Sequence, residues 1–135
     1  MGFIEGDHFD DEQCFTLLGR SQFGRIALTL RALPVVFPVR YTLNERELLF
    51  DLSVDQLAKA IDRRTATLQA DGFEEDTGQR WTVLAVGPVQ RIQAFEGLGS
   101  VVASLSSAPE AVSGEQGGVF RLQPVILSGR WIETL

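Results

Sequence analysis

Apolar residues recur along the chain with two different periods, and the switches between them mark out the elements. In DDEQCFTLLGR, Cys14, Leu17 and Leu18 fall on one helical face, Asp10 stands as N-cap with Gln13 three residues on, and acids fill the first turn. This predicts a short amphipathic helix over roughly 10–18, stopped by Gly19, with Cys14 buried as a small core hydrophobe. The period then drops to two. Ile26, Leu28 and Leu30 alternate with Arg25, Ala27, Thr29 and Arg31, which suits a strand with one buried face. After a turn at Ala32-Leu33-Pro34 the alternation resumes through Val35, Phe37, Val39, Tyr41 and Leu43. Pro38 inside that run puts it at a sheet edge or at a bulge. Asn44-Glu45 then turns into RELLFDL and completes an antiparallel meander.

Residues 54–63, VDQLAKAIDR, return to helical spacing, and residues 65–73 alternate again. A polar turn follows at EEDTG, then a long strand, RWTVLAVGPVQRI, bent or interrupted in its pairing at Gly87-Pro88. Between 95 and 118 there are five Gly, five Ser and no basic residue, which predicts a weak helix and mobile loop over 97–118. The closing GVFRLQPVILSGRWIETL reads as a final strand with a break at Pro124. Six strands with two or three helices make a mainly β protein, a small six-stranded antiparallel barrel.

Composition narrows the chemistry. Leu, Ile, Val and Phe supply 44 of the 135 residues, enough to order one domain spanning 1–135, with 1–9 as an N-terminal arm. No stretch approaches the ~18 apolar residues of a membrane helix, and MGFIEGDHFDDEQ lacks a signal-peptide layout, so a soluble cytoplasmic protein is expected, with no membrane partner. The net charge of −6 disfavours nucleic acid, although a local cluster of the Arg residues could hold one small anion. Cys14 and His8 are each the sole residue of their kind, which excludes internal disulfides, Cys/His zinc sites and paired-His metal sites. A Ser-His-Asp or Cys-His mechanism would have to use His8, out in the arm. Glu74-Glu75-Asp76 reads as a solvated turn rather than a metal site.

The order LLGRSQFGRIALTL, PVVFPVRY, LLFDLSVDQLAKA, LQADGFEEDTGQRWTVLAVGPVQRI and FRLQPVILSGRWI resembles the pyridoxamine 5′-phosphate oxidase-like family of FMN-binding split β-barrels, in its short bacterial form. The resemblance covers about 12–132 and fails in the Gly/Ser segment. It implies a homodimer with the flavin ring in a groove between subunits. Pro38, Val39, Arg40 and Tyr41 would line the ring, the strand carrying Trp81, Thr82 and Leu84 would contribute from the partner, and Arg130 and Trp131 would close the groove. Ser53 and Gln69 are candidate donors to the ribityl chain or ring edge, or ordinary strand polar residues. Trp81 and Trp131 suit either stacking on a planar ligand or anchoring a dimer. Arg25 reads most simply as the partner of a nearby carboxylate.

The chain departs from the family where the phosphate is gripped. An Arg and then a Gly-x-Lys turn are usual there; this chain has Asp51, Leu52, Ser53 and, at the lysine position, Gln56 or Leu57. Losing two charge-assisted hydrogen bonds would cost a flavin phosphate roughly 3–6 kcal/mol. Arg40, Arg46, Lys59, Arg63 and Arg64 are the nearby substitutes. The resemblance implies an FMN-dependent redox protein acting on a small molecule. The alternative is a homodimeric binding module with an eroded phosphate site. A deazaflavin is disfavoured by the net acidity, and haem by the single imidazole.

Overall fold

The computed structural model describes residues 8–52, 55–93, 105 and 118–132. The expected weak helix and loop over 97–118, Ser53, and most of the N-terminal arm lie outside these residues, apart from Leu105 and Gly118. The elements are α1 (Asp11–Arg20), β1 (Phe23–Leu30), β2 (Leu33–Asn44), β3 (Glu47–Leu52), α2 (Asp55–Ile61), β4 (Thr65–Phe73), β5 (Arg80–Arg91), β6 (Gly118–Leu122) and β7 (Ile126–Ile132).

The strands run in the order β4-β1-β2-β3-β6-β5-β7, and a further β4–β5 pairing closes the first six into an antiparallel barrel with β7 beside it. Two strands are shared between the halves. β2 pairs with β1 through residues 33–40 and with β3 through 41–44. β5 lies between β4 and β7 through residues 80–86, then pairs with β6 through 89–91. Gly87 sits at that change of partner. A Cβ there would fall 1.8 Å from the Gln123 carbonyl oxygen, so only glycine admits the chain as it passes from β6 to β7.

The mainly β barrel matches the sequence expectation, with three differences of detail. The final segment forms two strands, not one, because Gln123–Val125 crosses over Gly87, where Gln123 N–H donates to the Pro88 oxygen and Val125 N–H to the Val86 oxygen. α1 runs through Gly19 to Arg20, with the Ser21 N–H donating back to the Leu18 oxygen; its N-terminus carries the expected reciprocal bonds of Asp10 and Gln13. The first hairpin turns at Arg31-Ala32, both at positive φ (51° and 63°), so Leu33 and Pro34 already belong to β2. A two-residue turn makes Leu30 and Leu33 a hydrogen-bonded pair, and pairs then alternate. The backbones of Pro34 and Pro38 consequently face the unpaired side of β2, where no N–H is needed. Pro38 thus marks an edge rather than a bulge.

Alternation dictates the core. Ile26, Val39, Tyr41, Phe50, Leu68, Val83, Val89, Phe120 and Leu122 point inward and are buried, with the rings of Phe50 and Phe120 stacked at 5.8 Å. Cys14, Leu17 and Leu18 of α1 pack into the same core. Leu49, on the opposite side of β3, is covered by Ile92, Leu105 and Val119. No helix among the described residues is long and apolar enough to cross a membrane.

Candidate functional site

β2, β1, β4, β5 and β7 form a continuous layer whose outward side chains are set by the strand register. One row across it is Val36, Ala27, Thr67, Val86 and Ile126; the next is Pro38, Arg25, Gln69, Leu84 and Ser128. A third joins Arg40 to Phe23, and Asp71 to Thr82 and Arg130. The layer therefore brings together five residues expected at the site: Pro38, Arg40, Gln69, Thr82 and Arg130. It also gathers Phe23, Val36, Leu84 and Ile126, which are large, apolar and exposed. Arg25, Arg40, Arg80 and Arg130 share this face with Asp71, a basic surface on an acidic chain.

The contacts on this face are loose. The Arg40 guanidinium lies 5.5 Å from the Phe23 ring centroid. Arg25 and Asp71 approach to 3.9 Å with both side chains more than half exposed, a pair that contributes at most about 1 kcal/mol. Hence the sequence expectation for Arg25, a nearby carboxylate partner, is met without locking the side chain. The Gln69 amide lies 3.4 Å from the Thr82 hydroxyl, leaving a second donor free for another acceptor.

The same alternation turns other expected site residues away. Val39, Tyr41, Leu52 and Trp81 are at most 5% exposed and face the barrel core. Tyr41 donates its hydroxyl proton to the Leu18 oxygen at 2.7 Å, tying β2 to α1. Burial pushes this phenol up to about 12, a shift opposed by a hydrogen bond with Ser21. Trp81 lies over Gly72, where a Cβ would fall 2.6 Å from the indole. It is a core residue and not the dimer anchor considered from sequence. Trp131 is half-buried and meets Phe9 of its own chain edge to face at 5.1 Å, so its indole is engaged inside the subunit. Cys14 is likewise a core group: burial, with Asp11 and Asp10 beside it, pushes the thiol up to about 11.

The expected phosphate region is acidic in the structure as well. Asp51 is half-buried at the end of β3, and burial raises its carboxyl, an effect partly offset by a backbone hydrogen bond and by Arg40. Of the proposed cationic substitutes, Arg46 is removed from contention. It sits at the β2–β3 turn, ion-paired with Glu12 and 5.1 Å from the Phe15 ring, at the opposite end of the hairpin from Arg40. Gln56 belongs to α2, but its side chain is outside what the structure describes, as is Ser53.

Sequence reasoning missed Phe23 and Ile126 as parts of this surface. Their signal was parity: each alternates with a core residue, so a large apolar side chain there must face away from the core. No group of three or more His, Cys, Asp or Glu able to hold a metal occurs among the described residues.

Comparison with known proteins agrees with this architecture. The FAD binding protein from Mycobacterium smegmatis superposes with a TM-score of 0.69 at 20% identity, covering 93% of this chain and 97% of the other. A FAD-binding protein from Mesorhizobium loti gives 0.75 at 18% identity, with the same coverages of 93% and 97%. The FAD and heme binding protein from Mycobacterium smegmatis gives 0.74 at 15% identity, covering 95% of this chain and 74% of that one. No curated protein sequence matches. The sequence model of the pyridoxamine 5′-phosphate oxidase family matches residues 10–131, nearly the whole described barrel, and the chain belongs to that family.

Proposed function

We propose that this protein is a homodimer that holds a flavin nucleotide on the outward face of the β2-β1-β4-β5-β7 layer, between subunits, and exchanges electrons with a small molecule. The observation that carries this reading is the composition of that face. Exposed Phe23, Val36, Leu84 and Ile126 offer an apolar bed for a planar ring, and Arg25, Arg40 and Arg130 surround it with positive charge. A large exposed apolar area with Arg and aromatic residues is also what a subunit interface uses. The family membership and the FAD-binding neighbours favour a flavin over other planar anions.

A bound isoalloxazine supplies hydride and electron transfer itself. The chain's part is to bind, orient and dry the ring. Gln69 and Thr82 offer an amide and a hydroxyl for polar ring atoms, Leu84 and Ile126 exclude water, and the Arg side chains favour electron-rich or anionic forms. No titrating side chain among those on the face is needed as a strong acid or base.

Asp51 favours a second reading, a dimer whose cofactor site no longer takes a terminal phosphate. The experiment is direct. Flavin absorbance that co-elutes with the purified protein on gel filtration, as FMN or FAD identified after release, supports the first reading. A colourless protein that takes up neither on addition refutes it in favour of the second. Sedimentation tests the dimer independently.

A further inference from the structure

Strands β1 and β4 part company halfway along. Their pairing covers only residues 25–27 with 67–69, whereas β1 stays paired with β2 as far as Leu30 with Leu33, and β4 with β5 as far as Thr65 with Pro88. Beyond Ala27 and Thr67 the two strands leave a groove of about 450 Å³ on the same outward face. Its lining includes Thr29 of β1, Thr65 and Thr67 of β4, Arg64 just before β4, and the apolar Ala27 and Val36. None of these three hydroxyls bonds to another described residue, and the Arg64 guanidinium has no ion pair among them.

We propose that this groove binds a phosphate ester. An arginine and three threonines lining one groove supply the cationic and hydroxyl donors that suit the tetrahedral oxygens of phosphate. The location is apt: Gln69 on the ring-binding face lies about 13 Å along β4 from Thr65. Asp51, by contrast, offers a carboxylate where the sequence comparison expects a cation. The ester has two possible sources, the tail of the flavin, which rests on the function proposed above, or a separate phosphorylated substrate.

Amide chemical shifts followed during titration with inorganic phosphate test the groove itself. The Thr65 and Thr67 amides should move saturably, and Arg64→Gln should weaken the response about 10- to 100-fold while the rest of the spectrum stays native. If the flavin tail is the source, Arg64→Gln lowers FMN affinity by a similar factor and leaves riboflavin binding unchanged. If a separate substrate is the source, both flavins bind the variant as they bind wild type and only phosphate binding is lost. Phosphate shifts absent from these amides, or identical in Arg64→Gln, overturn the proposal. Failure of wild type to bind any flavin sinks the flavin reading alone, because the phosphate titration still decides the groove.

Discussion

Replacing Tyr41 by Phe removes one oxygen from the core, and its consequence should change sign with pH. The hydroxyl is buried, donates to the Leu18 oxygen at 2.7 Å and couples β2 to α1. Below pH 10 its loss should therefore cost about 1 kcal/mol, read as a fall of roughly 3–6 °C in Tm. Burial raises the native phenol from 10.0 to about 12, so between those values the native state keeps a proton that the unfolded chain has shed. Stability is whole below pH 10 and drains through that window, by about 3 kcal/mol once pH 12 is passed. Tyr41→Phe has no proton to lose, so the two stability curves should cross between pH 10 and 12, leaving the variant the more stable. Because Tyr41 is the only tyrosine, its phenolate absorbance can be followed alone. A midpoint near 10 in the native protein, matching the denatured control, or parallel stability curves for the two proteins, would refute the reasoning.

Gly87→Ala should destabilise by at least about 3 kcal/mol in denaturant unfolding, because the new methyl meets backbone at 1.8 Å rather than a side chain that can swing away; a change under 1 kcal/mol would contradict the crossover geometry. If the outward face is the proposed subunit interface, Leu84→Arg puts a charge at its centre and should shift the sedimentation profile from dimer to monomer while circular dichroism stays native; an unchanged dimer would place the interface elsewhere. Cys14 should resist thiol reagents at neutral pH in the folded protein and react at once in denaturant; ready labelling of the native state would place it outside the core. Asp51→Asn should be neutral or slightly stabilising at pH 7, by under about 1 kcal/mol, since burial already disfavours the charged form, and should raise FMN affinity more than riboflavin affinity only if the phosphate lies beside it.

Much of the barrel was legible locally because alternation and capping are local properties. Asp10 and Gln13 announced the start of α1, and the run from Val35 to Leu43 announced which side of β2 is buried. Ends of elements were less legible. Gly19 breaks no helix here, since Ser21 closes the turn onto Leu18, and Arg31-Ala32 adopt positive φ without glycine or asparagine to signal it. The candidate site was half legible. Resemblance to a family indicates stretches of chain, such as 38–41, but a strand sends neighbouring residues to opposite faces. Thus Arg40 reaches the surface while Val39 and Tyr41 enter the core.

What the sequence determined by itself was the first five strands, their buried faces and the inventory that rules out most side-chain catalysis. Tertiary structure alone decided which outward faces lie side by side, that β1 and β4 separate beyond Ala27 and Thr67, and that Arg46 is spent on Glu12 while Arg64 flanks an open groove. The physical reason is range: periodicity and caps act within a few residues, whereas register between β1 and β4 joins positions some forty residues apart, through contacts that no local pattern encodes.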